Sequence, residues 1–247
     1  MDRIFNMDNK FFTFMGHVAD LVILNLLFIV CCIPIVTVGP ALTALYYVTL
    51  KMAKGEESYI VRPFFKSFKE NLKQGIIIWL IVLALIVLLV CDFLIMSQTS
   101  GSIYTVVKYG LGIIALVVAM VSLYVFPLLA KFDNTIKGTF RNGLLMSIRH
   151  LPKTFLMLLV PVAAIIITLL TEQTLCYGIL CWILFGFSLI ALIDSKFFAG
   201  IFDLYIPKEE EENAEDLEGF AALDAMEKGV YPPSRAQLQD EEDTTEE

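Results

Sequence analysis

The sequence predicts an all-α protein: a polytopic transmembrane helical bundle of about five spans, with a kinked first span and basic interfacial helices. Three observations carry this prediction. Hydrophobic residues make up 57% of the 247, and mean hydropathy is +0.74, well above what a soluble domain shows. The apolar residues fall in unbroken runs, and a hydrocarbon core of about 30 Å needs roughly 20 of them per helix. Five runs meet that demand, at 18–38, 75–96, 109–129, 154–171 and 175–193. None alternates polar with apolar as barrel strands do, and lipid leaves the edges of open strands unsatisfied, so the spans are helices.

The first run is broken. It reads "IPIVTVGPALTALYYVTLKMAKG", with Pro34, Gly39 and Pro40 inside seven residues. Proline removes a backbone donor and clashes with the preceding turn, and glycine permits unusual torsions. Thr37 and Thr43 are placed to offer hydroxyls to the freed carbonyls. The break formed by Pro34, Thr37, Gly39, Pro40 and Thr43 predicts a kink. After it, Ala41, Leu42, Leu45, Tyr46 and Leu50 share one broad face, as expected of a helix along or just below the membrane interface. A discontinuous helix lining a substrate site is the functional alternative, but no matching Thr-x-Gly-Pro break accompanies Pro127 or Pro161.

Two basic segments introduce later spans. "RPFFKSFKENLKQG" precedes the second, with Phe65, Phe68 and Leu72 on one face and Lys66, Lys69 and Lys73 on another. "FRNGLLMSIRHLPKTF" precedes the fourth. Both read as interfacial helices, so spans two-three and four-five form two hairpins, each with a basic entry. The two remaining loops, "SQTSGSIYT" and "EQT", carry no Lys or Arg. The positive-inside rule then puts the basic segments in the cytoplasm. Five spans place the N-terminus outside and the C-terminus inside. The first run is long enough to span and lacks a small-residue cleavage site, so it is expected to stay as a helix.

Charge divides the chain. The net −8 combines a C-terminal stretch, 203–247, of net −13 with a remainder of net +5. Residues 1–206 are expected to form the transmembrane domain and 207–247 an acidic, disordered cytoplasmic tail. Within the tail, Leu217, Phe220, Leu223, Met226 and Val230 have the spacing of a short amphipathic helix. The lipid bilayer is the certain partner of such a chain, and nucleic acid is not expected.

No enzyme motif is present: no HExxH, GxSxG or P-loop. The chain is read as a non-enzyme without cofactor or metal. The five cysteines form no CxxC pair and serve as small apolar residues. His17 and Asp20 sit three apart on one helical face, but two ligands make a poor cation site. Three acids fall within or beside spans: Asp20, Asp92 and Asp194. Acids there are functional candidates, and Asp20 with Asp92 is the speculative proton pair.

"IPIVTVGPALTALYYVTLKM", "FFKSFKENLKQGIIIWL", "LAKFDNTIKGTFRNGLLMSIRHLPKTF" and "DSKFFAGIFDLYI" resemble, in that order, the motifs of the YesL family of bacterial membrane proteins, a domain of unknown function. The resemblance covers roughly residues 1–206. It implies a Gram-positive plasma membrane and an association with genes for carbohydrate ABC transporters, their regulators and glycan breakdown. Where that family often has Asn-Ser near the end of its last span, this chain has Asp194-Ser195, which would put a charge at the cytoplasmic rim. Asn71, Arg141, Asn142, Pro152 and Asp194 form the candidate partner-contact set. The stretch from Gly138 to Pro152 is also somewhat similar to the coupling helix of ABC permeases, without its Glu-Ala-Ala opening. The expected role is an accessory or regulatory component of carbohydrate ABC uptake, contacting transporter subunits or a second copy of itself. The alternatives are a permease-like component moving a small solute and, less favoured, a membrane enzyme of lipid or glycan precursors.

Overall fold

The computed structural model describes residues 10–56, 59–97 and 101–205. These residues are overwhelmingly helical: α1 (Lys10–Cys32), α2 (Val38–Lys54), α3 (Val61–Glu70), α4 (Leu72–Ser97), α5 (Ser102–Lys131), α6 (Ile136–Arg149), α7 (Leu151–Leu169), α8 (Glu172–Cys181) and α9 (Phe187–Phe202). The chain divides into a unit of Met1–Gly200 and a unit of Ile201–Glu247. Of the second, the described residues are the last turn of α9 and the turn through Tyr205. The acidic tail and its amphipathic stretch lie outside the described residues.

Among the described residues six helical stretches are long and apolar enough to cross a membrane, one more than the sequence suggested. Five match the expected runs. The fifth is composite: α8 and α9 are joined by a π turn at Trp182–Gly186, giving one apolar stretch at Glu172–Phe202. The sixth is Ile35–Lys54. The expected first span at 18–38 is therefore too long. Its helix stops at Cys32, and a 3-10 turn at Ile35–Thr37 leads into α2.

The packed core sits at one end of the bundle. Residues 124–129 of α5 are all buried, Pro127 included, whereas most of α5 before residue 118 is exposed. In α4 the buried residues are Gly75, Ile78 and Val82, all in its first half. In α7 they are Thr154 and Met157, in its first two turns. A compact base thus surrounds the last turns of α5, and apolar helix halves rise from it with their side chains open to lipid. The Nε2 of Gln74 donates to the Asn134 carbonyl at 3.4 Å, so the start of α4 and the α5–α6 connection share this base.

α2 belongs to the base. Its entry is fixed on α4: the Trp79 indole donates to the Ile35 carbonyl at 2.8 Å, and Trp79 packs on Phe126 with centroids 6.3 Å apart. Further along, Tyr46 meets Phe198 at 6.0 Å, and Phe198 meets Tyr124 at 5.0 Å. Both ends of this stretch thus connect, through Trp79 and Phe198, to Phe126 and Tyr124 of α5. α2 ends in Gly55, whose φ of 74° closes the helix in the left-handed conformation, with its N–H on Lys51 and Met52.

Two expectations about helix faces are corrected here. The one-sided interfacial face of α2 does not exist, because Gly39, Pro40, Thr43, Ala44, Val48 and Thr49 are buried along with Ala41, Leu45, Tyr46 and Leu50. The neighbouring helices α3, α4 and α5 cover it on nearly all sides. In α3 the inward face is Phe64 and Ser67, not Phe65 and Leu72. The helix breaks at Asn71, so Leu72 starts a new register in α4 and the projected stripe does not run through.

Candidate functional site

The sequence break proves to be a close crossing. Gly39 has no positive φ, so unusual torsion is not its use. It faces Gly75 of α4: a Cβ built on Gly39 would collide with the Gly75 carbonyl and lie 2.6 Å from the Trp79 Cβ. A Cβ on Gly75 would lie 2.8 Å from the Pro40 nitrogen. Small residues let two backbones touch, as at other membrane helix crossings. Thr37 does cap a broken end, donating to the carbonyls of Cys31 and Pro34, each at 2.7 Å. Thr43 does not serve a carbonyl freed by proline. Its hydroxyl bonds the Gly39 carbonyl one turn back, at 3.0 Å.

A buried polar seam joins α9 to α1 and α2. Asn25 of α1 donates to the carbonyls of Trp182 (3.0 Å) and Ile183 (2.7 Å) and accepts from the Ser188 N–H at 3.0 Å. One amide thereby replaces backbone bonds that the π turn displaces, which explains why the helix widens there. The Ser188 hydroxyl donates to the Leu21 carbonyl at 2.8 Å. On the α2 side, Thr49 and Ser195 share a hydrogen bond of 2.7 Å. Tyr46 donates to Oδ2 of Asp194 at 3.4 Å. Nearby, Tyr124 and Thr154 hydroxyls lie 2.7 Å apart. The Thr154 proton serves the Ser147 and His150 carbonyls, which leaves Tyr124 as the donor.

Asp194 corrects its expected place. It is 0% exposed, so it presents no charge at a rim for a partner, and its Oδ1 has no hydrogen-bond partner. The other members of the contact set divide. Arg141 and Pro152 are exposed, and Asn142 is half-buried. Pro152 occupies the first turn of α7, where a missing N–H costs nothing. Asn71 is half-buried and turned inward on Ser67, donating to its carbonyl at 3.1 Å. Asp20 and Asp92 lie on α1 and α4, each half-buried, and no hydrogen bond of the structure joins them. His17 is exposed. Among the described residues no group of three or more His, Cys, Asp or Glu could hold a metal, and all five cysteines are free.

The basic segments carry the exposed charge of the base. α3 packs on α2, and within α3 Phe64 stacks on Phe68 at 6.4 Å. α6 packs on α5, where Gly143 leaves room for Val125 and Tyr124. Its buried face is Thr139, Gly143, Met146 and Ser147. Arg62, Lys66, Lys69 and Lys73 on one segment, and Lys137, Arg141 and Arg149 on the other, all face outward. His150, between α6 and α7, is held below the ordinary imidazole range, first by partial burial and then by the Lys153 and Arg149 charges.

Fold and site define a multi-pass α-helical membrane protein with a packed, polar-seamed base and a basic rim. The family described as "Protein of unknown function, DUF624" matches residues 21–93. The uncharacterized protein YesL of Bacillus subtilis (strain 168) is 27% identical over 207 residues, covering 83% of this chain and 94% of that protein. No solved structure matches. The chain is thus similar to membrane-protein sequences whose function is unknown.

The sequence reading missed Asn25, Trp79, Tyr124, Thr154 and Ser188. Asn25 alone left a signal, as the one amide in "DLVILNLLFIVCC". The others are aromatic or hydroxyl residues that membrane spans carry in many roles.

Proposed function

We propose that this chain is a non-enzymatic accessory component of a carbohydrate ABC importer in a bacterial plasma membrane, docking through its basic cytoplasmic rim. One observation carries the reading: α3 and α6 fold back on the helices before them and turn their Lys and Arg side chains outward at one end of the bundle. Such a rim is complementary to acidic surfaces as well as to anionic headgroups. The association with carbohydrate transporter genes that the resemblance implies suggests the partner class. The positive-inside rule orients the base toward the cytoplasm. Five crossings, with α2 counted as part of the cytoplasmic base, put the N-terminus outside and the C-terminal tail in the cytoplasm.

The test is ATP hydrolysis by a carbohydrate ABC importer of the same membrane, co-reconstituted with and without this chain. A changed rate, lost when Lys66 and Lys69 are both replaced by Glu, supports the accessory role. An unchanged rate contradicts it. The buried Asp194 favours a second reading, a transport component moving a small solute, because an acid inside a helical bundle is a functional site by default. Uptake into liposomes holding this chain alone is the assay for it.

A further inference from the structure

We propose that Asp194 is a proton-binding site in the interior of the base, held between α9 and α2 and loaded with a proton when Tyr46 is seated on it. The inference stands on the geometry of the carboxyl and is independent of the accessory role.

Asp194 has no exposed surface. Its Oδ1 meets no donor, and its Oδ2 receives a single hydrogen bond from Tyr46 at 3.4 Å. The carboxyl thus has one long contact from a neutral hydroxyl and no other donor. A buried carboxylate without a cation is expensive and is relieved by taking up a proton. No cation is at hand. From α2 the titratable group facing it is Tyr46, while Lys51 lies at the far end over Tyr47 and beside Glu56. From α5 the nearest is Tyr124, packed on Phe198 one turn along. The α1 contacts to α9 described above, from Asn25 and Leu21, are made at Ser188 and carry no titratable group. On α9 itself Lys196 is exposed.

A metal ion is a poor occupant. Hard cations want about six or more oxygens, and the neighbouring hydroxyls are committed. Thr49 bonds Ser195 and the Leu45 carbonyl at 2.7 and 3.0 Å. One unsatisfied oxygen is enough for a proton and too little for a metal. The step is simple: a proton from water forms an O–H bond on the carboxylate, and the group becomes neutral. Losing that proton leaves a bare charge between α9 and α2. The hydroxyl of Tyr46 is the one donor there to receive it, so proton release acts on the seating of α2.

Infrared spectroscopy of the full chain in lipid nanodiscs, with 13C-labelled aspartate carboxyls, tests this. Exposed carboxyls ionise near pH 4, so an acid C=O band at neutral pH reports a buried proton. The expected result is such a band, lost at alkaline pH, absent in Asp194→Asn, and shifted to higher frequency in Tyr46→Phe, which removes its hydrogen bond. If Asp194→Asn does not fold, the shift in Tyr46→Phe still assigns the band. Carboxylate bands alone at neutral pH would overturn the proposal. So would an acid band that neither substitution moves, or a band that disappears on adding sodium at fixed pH.

Discussion

Gly39 of α2 and Gly75 of α4 touch backbone to backbone, with no room for a Cβ on either. This contact holds α2 against α4, and its sensitivity is predictable. Gly39→Ala forces α2 away from α4 and should cost about 1–3 kcal/mol, the range for overpacking a tight site. Gly112→Ala, where a Cβ meets nothing within 4 Å, should be neutral or slightly stabilising. Thermal unfolding in detergent compares the two. Equal effects would show that the crossing is not close.

Asn25 offers a second test. Its side chain serves two carbonyls of the π turn and one N–H of α9. Membrane hydrogen bonds average only about 0.6 kcal/mol each, but Asn25→Leu strands three buried or part-buried backbone groups at once. The expected loss is about 1–3 kcal/mol. Asn25→Asp should lose less if it still accepts from Ser188. Unfolding midpoints of both variants check the order.

The contrast between these two sites shows what the sequence conveyed. Apolar runs announced the spans, because lipid imposes length and composition on any crossing helix. The proline-glycine break announced a bend at Pro34–Pro40 but not its direction. That direction is set by Gly75 and Trp79, some 40 residues away, and no local pattern encodes such a meeting. The same limit applies to Asp194. In sequence it reads as a charge near a span end, which snorkelling would place at the rim. Only the packing of Tyr46, Thr49 and Phe198 around it shows that it is inside. The exposed charges of α3 and α6 were legible because basic side chains seldom bury.

His150 should make stability depend on pH. Partial burial and the neighbouring Lys153 and Arg149 lower its affinity for a proton in the folded state. The unfolded chain then binds more protons as pH falls through about 6.5, so the folded state loses stability on acidification and is unaffected above that range. His150→Gln should flatten this part of the curve. Melting temperatures from pH 8 to 5, wild type against variant, would show the slope or its absence.

Topology has its own check. In a chain freed of its five cysteines, Arg141→Cys on the basic rim should react with a membrane-impermeant thiol reagent only after the cytoplasmic face is opened. Glu172→Cys, at the α7–α8 turn, should react from outside in intact cells. The opposite pattern would invert the bundle and move the rim away from any cytoplasmic partner.

The central claim is that the basic rim docks on transporter subunits. The most direct measurement is to purify the tagged protein from its native membranes in mild detergent and identify what accompanies it. The account predicts stoichiometric recovery of ABC permease or ATPase subunits, lost in the Lys66→Glu/Lys69→Glu variant. Recovery of the protein alone, as a monomer or a clean homo-oligomer, would contradict it.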